Sequence, residues 1–244
     1  MTPTISYVVP VHNNALSIEA VVRRITTRLA GHPGSEVVLV ENASSDASGA
    51  VVRRLAATLS TDDVTVLAGR SPQGIGSAWR EGIALTAGSM VVLTASDLPF
   101  DFSDLDAALS LEPLPLLVIG SKAHPESVVQ VGRARQVMSK GFRLARGLLL
   151  GLWQGDTQGT LLVSGPLLRS LAPDLSSTGY LIGTEIVAEA VRTGVTPAEV
   201  RVSYPRQDHR STVSPVADSL RMLMGLVRLR RRLRRHVRRE PPIF

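Results

Sequence analysis

The first 94 residues alternate short β-branched runs with amphipathic segments, and few folds accept that order. Residues 5–11 read ISYVVPV, 36–40 EVVLV, 64–67 VTVL and 90–94 MVVLT. Near-continuous apolar runs of this length, without polar alternation, are strands buried on both faces. Residues 15–29 carry helical spacing through Leu16, Ala20, Ile25 and Leu29. Ser45 or Asp46 is placed to cap a second helix ending at Leu59, and Gly88 closes a third that starts near Ser77. Strands separated by helices pair in parallel through right-handed crossovers. The expected fold is therefore α/β, with a mainly parallel central sheet flanked by helices.

The second half is less regular. A short helix is expected over residues 102–109, a strand over 116–121 and a long helix over 133–150. A strand at 159–163, an amphipathic helix at 182–192, a strand at 199–204 and a last helix from 215 to about 239 complete the reading. No linker-like stretch and no internal repeat divide the 244 residues, so one domain is favoured. The absence of cysteine excludes disulfides and thiolate metal sites and suits a reducing, cytoplasmic setting. The chain moves straight into a strand, so no signal peptide is expected. Apolar runs such as Leu148–Trp153 fall well short of the roughly 20 residues that cross a bilayer.

Each buried run ends in polar residues: His12-Asn13-Asn14, Glu41-Asn42, the Gly69–Gly76 loop, and Ser96-Asp97 with Asp101 close behind. In an open α/β sheet the carboxyl edge is where ligands sit. A polar strand end taken alone is more often a helix-capping turn.

The succession VVPVHNN (8–14), VVLVENASSD (37–46), QGIGSAWREGI (73–83), VVLTASDLP (91–99) and GDTQGTLLV (155–163) resembles an inverting family 2 glycosyltransferase of the GT-A fold. Within that family it most resembles the dolichyl- or polyprenyl-phosphate mannosyl- and glucosyltransferases. The resemblance spans about residues 5–230. It implies a GT-A domain over 1–215, with a nucleotide-binding half at 1–100 and an acceptor half at 101–215. It also implies transfer of a hexose from a UDP- or GDP-sugar to a polyprenyl phosphate, with inversion.

The resemblance assigns nucleotide-sugar contacts to Pro10, His12, Asn14, Glu41, Asn42, Ser96, Asp97 and Arg210. Arg210 lies in a basic loop that closes over the diphosphate. Acceptor contacts fall to Lys122, Arg135, Ser139, Gln158 and Glu185, and the catalytic set is Asp97, Lys122, Arg135 and Ser139. Arg135 and Ser139 stand four residues apart, hence on one helical face. The family carries Asp-x-Asp and a third polar ligand to hold Mg2+ or Mn2+. Here Ala95 and Pro99 replace two of the three, and Asp97 is the remaining metal ligand. Hard cations need several oxygen ligands, so diphosphate and water must supply the rest.

Two other readings stand beside this one. A glycan or small-molecule hydroxyl as acceptor would need a general base, for which Asp156 or Glu185 is the candidate. A GT-A-like nucleotide-binding protein with impaired catalysis is the reading that Ala95 and Pro99 suggest.

The net charge of +6 is a feature of the C-terminus. Residues 225–244 hold eight arginines and one glutamate, a balance of +7, which leaves the rest of the chain near −1. On a helical wheel Leu226, Leu229, Leu233 and Val237 share a face, opposite Arg228, Arg231, Arg232, Arg235 and Arg239. Residues 216–244 thus read as a basic amphipathic helix on an anionic membrane surface, placing the protein peripherally at the inner face. Nucleic acid is not an expected partner, because the body has neither a basic face nor an aromatic stacking platform.

Overall fold

In this computed structural model the described residues are 3–129, 133–204 and 215–237, of which 133–135, 215–221 and 235–237 are described by backbone alone. The first half alternates as the buried runs require: β1 Ile5–Val11, α1 Ile18–Leu29, β2 Ser35–Asn42, α2 Ser48–Thr58, β3 Val64–Ser71, α3 Ile75–Leu85 and β4 Met90–Leu93. Asp46 does secure the start of α2, its Oδ1 accepting the Ser48 N–H at 2.9 Å.

The second half runs α4 Ser103–Leu109, β5 Leu117–Gly120, β6 Val128–Val129, α5 Arg133–Leu150, β7 Leu161–Ser164, α6 Gly165–Leu171, α7 Ile182–Arg192, β8 Ala198–Val200, β9 Ser203–Tyr204 and α8 Pro215–Val237. One sheet takes the order β3-β2-β1-β4-β7-β5-β8. All its pairings are parallel except those of β7, which runs antiparallel to both β4 and β5. The strand expected over 199–204 is two pieces: β8 joins the main sheet, and β9 pairs with β6 in a sheet of two. Helix α6 is not foreseen in the sequence reading.

Two apolar cores explain why the strands read as unbroken runs. Ile5, Tyr7, Val9 and Val11 of β1 point with Val37 and Leu39 into a core under α1, α2 and α4. Val8, Val38 and Val40 point the other way, toward α3, α6 and α7. Burial of both faces removes the selection for alternation that a one-sided sheet shows.

The C-terminal helix belongs to the second core. Leu226 and Leu229 are buried, and Leu233 packs against the α3–α7 cluster. Three of the four residues expected to meet lipid are therefore used inside the protein, the side chain of Val237 lying outside the described residues. Gly225 lets the helix come close, since a Cβ there would stand 2.1 Å from Leu181 Cδ1. Among the described residues no helix is long and apolar enough to cross a membrane.

Candidate active site

The chain lays β2 and β3 on one side of β1 and then returns to place β4 on the other. That reversal opens a crevice beyond the carboxyl ends of β1 and β4. His12–Asn14 and Thr94–Asp97 flank it.

Around the ends of β1 and β2, the imidazole of exposed His12 donates from Nδ1 to the Asn42 carbonyl at 2.7 Å. Pro10 is buried within β1. Asn14 accepts the Ser17 hydroxyl through Oδ1 and gives its backbone N–H to Ser48 Oγ at 2.9 Å. Buried Glu41 accepts the Ser44 N–H at 2.5 Å, and its other oxygen lies 3.2 Å from Arg70 Nε. Asn42 is fully engaged. Its amide N–H groups donate to Ser71 Oγ (2.8 Å) and to the carbonyls of Pro72 (2.8 Å) and Gly74 (3.0 Å). Its own Oδ1 accepts the Gly74 N–H at 2.9 Å. The side chain pins the loop between β3 and α3, so its polar atoms serve the protein first.

The turn after β4 is held from below. Trp79 Nε1 donates to the Thr94 carbonyl at 3.1 Å, and Leu98 N–H bonds back to the Ala95 carbonyl at 3.2 Å. Leu98 (φ 45°) and Asp101 (φ 53°) take left-handed backbone, which is costly for a residue with a Cβ. Asp101 turns away and pairs with Arg24 of α1. Ser96 is half-buried, whereas Asp97 is exposed. Among the described residues nothing hydrogen-bonds the Asp97 carboxylate, which leaves it open to a ligand.

The second half of the chain meets this turn through Lys122. Its ammonium lies 5.8 Å from the Phe100 ring centre and 5.6 Å from that of Tyr204, both within cation–π range. Asp156 Oδ2 stands 3.5 Å from the same nitrogen, while Asp156 Oδ1 accepts the Gln158 N–H at 2.9 Å. Gln158 and Ser139 are exposed. Arg135 shares a face of α5 with Ser139 by backbone position, its side chain lying outside the described residues. Arg210 lies outside them entirely. Glu185 sits elsewhere: it is 0% exposed, and its two oxygens accept the N–H groups of Ser176 (2.8 Å) and Ser177 (2.7 Å).

Residues 6–111 match the family model for glycosyl transferase family 2. The match covers less than half of the chain, from β1 through α4, and the architecture around it is GT-A. Solved structures of glucosyl-3-phosphoglycerate synthase from Mycobacterium tuberculosis share this fold. The complex with uridine diphosphate has a TM-score of 0.66 at 21% identity, over 93% of this chain and 80% of that one. The complex with Mn2+, uridine-diphosphate-glucose and phosphoglyceric acid has a TM-score of 0.65 at 21% identity, over 93% and 79%. A third, with Mg2+ and uridine diphosphate, has a TM-score of 0.64 at 21% identity, over 93% and 79%.

Among the described residues no three of His, Asp and Glu converge. Asp97 alone fits a divalent cation, as one carboxylate facing open space, with remaining positions left to diphosphate and water. Arg232 of α8, which the helical wheel places among outward arginines, instead reaches Glu185.

One group escaped the sequence reading. Arg146 is 1% exposed and is held by the carbonyls of Leu152 (3.2 Å) and Gln154 and by Thr157 Oγ1 (2.8 Å). Thr157 Oγ1 in turn lies 2.8 Å from Thr184 Oγ1. The guanidinium organises the loop that carries Asp156 and Gln158. Burial lowers its pKa, while the carboxylates of Asp156 and Glu199 oppose that shift. Nothing in its spacing on α5 separates it from a solvated arginine.

Proposed function

We propose that this protein is a glycosyltransferase that moves a hexose from a nucleotide sugar to a polyprenyl phosphate, with inversion. The observation that carries the reading is the contact of Lys122 with Phe100, three residues beyond Asp97. It brings a cation suited to an acceptor phosphate against the turn that carries the carboxylate suited to a metal–diphosphate group. Lys122, Arg135 and Ser139 would grip the acceptor phosphate, and Asp97 would supply one oxygen to Mg2+ or Mn2+. The metal, when bound, would offset diphosphate charge.

A phosphate monoester is already anionic, so no base is needed to make it a nucleophile. Its oxygen bonds to the anomeric carbon as the bond to the nucleoside diphosphate breaks, and the leaving group carries away the electron pair. Positioning and neutralisation of the leaving group supply the acceleration. Exposed Val137, Leu144 and Leu148 on α5 and Leu223, Met224 and Val227 on α8, near Lys140, Arg228 and Arg231, favour a bilayer-bound acceptor at the cytoplasmic face.

A second reading takes its support from the phosphoglyceric acid complex of the structural relative. There the acceptor would be a small phosphorylated hydroxy compound. Lys122 would still hold its phosphate, and Asp156 would be the base for the attacking hydroxyl. Incubation of the full chain and Mn2+ with radiolabelled UDP- and GDP-sugars decides between them. Label extracted into organic solvent with polyprenyl phosphate supports the first reading. Label retained on aqueous 3-phosphoglycerate alone supports the second, and transfer to neither overturns both.

A further inference from the structure

Helix α3 begins at the donor crevice without a side-chain cap of its own, because its N-cap is Gly74. The first N–H groups of a helix have no partner within it. Here Gly76 N–H (2.8 Å) and Ser77 N–H (3.2 Å) both donate to the carbonyl of Thr178, a residue a hundred positions away. The two backbones touch. A Cβ on Gly74 would stand 2.2 Å from Thr178 O, and one on Gly76 would stand 2.3 Å from Ser177 O. The turn at 176–178 thus acts as the cap of α3, and Asn42 grips the same loop from the opposite side.

What holds that turn is Glu185, through the Ser176 and Ser177 N–H groups. A fully buried carboxylate is costly without a cation. Arg232 supplies it, hydrogen-bonding Glu185 with one guanidinium nitrogen and the Ser176 hydroxyl with another. Glu189 lies 3.9 Å from Arg232 and takes Arg192 Nε at 3.0 Å, so a second buried carboxylate adds to the pull on the arginine.

We propose that Arg232 is a positioning residue for the donor site. Through Glu185 and the 176–178 turn it locks the Pro72–Ser77 loop in place, so docking of the C-terminal helix sets the geometry in which nucleotide is bound. The proposal rests on the reading of the crevice as a nucleotide site, and it gives the helix a role in the reaction apart from any membrane.

Hydrogen exchange on the full chain reads the lock directly. Arg232→Ala should speed exchange of the Gly76 and Ser77 amides by about tenfold or more, because an opened cap exposes them. Arg232→Lys, which keeps the charge without the fork, should fall between, and exposed Arg231→Ala should match the wild type. In titrations with UDP and GDP plus Mn2+, Arg232→Ala should weaken nucleotide binding by about tenfold through loss of the competent loop. Unchanged exchange in both Arg232 variants overturns the lock. Faster exchange with unchanged nucleotide affinity overturns its role in positioning. A wild type that binds neither nucleotide removes the donor-site reading and the positioning role with it, while the exchange result still judges the lock. If Arg232→Ala does not fold, Arg232→Lys carries the same comparisons.

Discussion

Lys122 stands 3.5 Å from Asp156 while its ammonium faces the rings of both Phe100 and Tyr204. A flexible side chain is thereby held in one place, beside the turn that carries Asp97. Lys122→Ala is expected to raise the acceptor KM by about tenfold to a hundredfold, since a charge-assisted contact to phosphate is lost. Nucleotide affinity should stay near wild type. Steady-state kinetics against acceptor concentration, with nucleotide titration as control, provides the measurement.

Asp97 is the one carboxylate of the β4 turn left open to a ligand. Asp97→Ala should lower kcat/KM by roughly a hundredfold or more if it anchors charge at the leaving group. The thermal shift produced by UDP or GDP should lose its dependence on Mn2+, because binding stabilises by mass action. A shift that still responds to Mn2+ as in the wild type would exclude Asp97 as the anchor.

Asn42 makes four hydrogen bonds that join the end of β2 to the loop before α3. Asn42→Ala leaves several of those partners unsatisfied and should cost about 2–4 kcal/mol. A lower urea midpoint at unchanged slope would record it. Asn42→Asp should be at least as damaging, because a carboxylate cannot donate to the Pro72 and Gly74 carbonyls.

Asp104 supplies a pH dependence. Burial raises its pKa from the usual 3.8 to about 6, against the opposing hydrogen bonds from the Leu105 N–H and Thr160. The folded state therefore holds a proton that the unfolded state has released between those two values. Stability from this group is fully present below pH 3.8 and is lost as pH rises to about 6. The size is ~2–3 kcal/mol by linkage. Asp104→Asn should flatten that slope and make the protein more stable at neutral pH, as denaturation at pH 4, 5, 6 and 7 would reveal.

The first half of the fold was legible because burial on both faces writes itself locally, as in ISYVVPV and EVVLV. The bounds of α5 and α7 also follow directly from their spacing. What the sequence concealed is long-range. Nothing in LLVS tells that β7 runs against its neighbours, since direction depends on the connections around it. Arg146 and Arg232 look like their solvated neighbours, because an arginine's burial is decided by partners off its own helix, in the next loop for Arg146 and some fifty residues back for Arg232. Polar strand ends are ambiguous for a related reason. Asn42 and Asp97 read alike as ligands, yet one is spent on a loop and the other stands open.

The reversed direction of β7 has a consequence for how the molecule is divided. Leu93 and Ile119 both pair with Leu161, at the start of β7, and Gly120 N–H bonds the Thr160 carbonyl at 2.9 Å. For β1, β2, β4 and β5, the segment that reaches this edge is the one after the strand. For β7 it is the segment before. Residues 155–160 therefore enter between the ends of β4 and β5 like a wedge, with Asp156 at its tip. On the proposed reading, a change in that wedge would alter which acceptor is admitted without shifting either strand beside it, so donor use and acceptor choice would diverge separately on one scaffold.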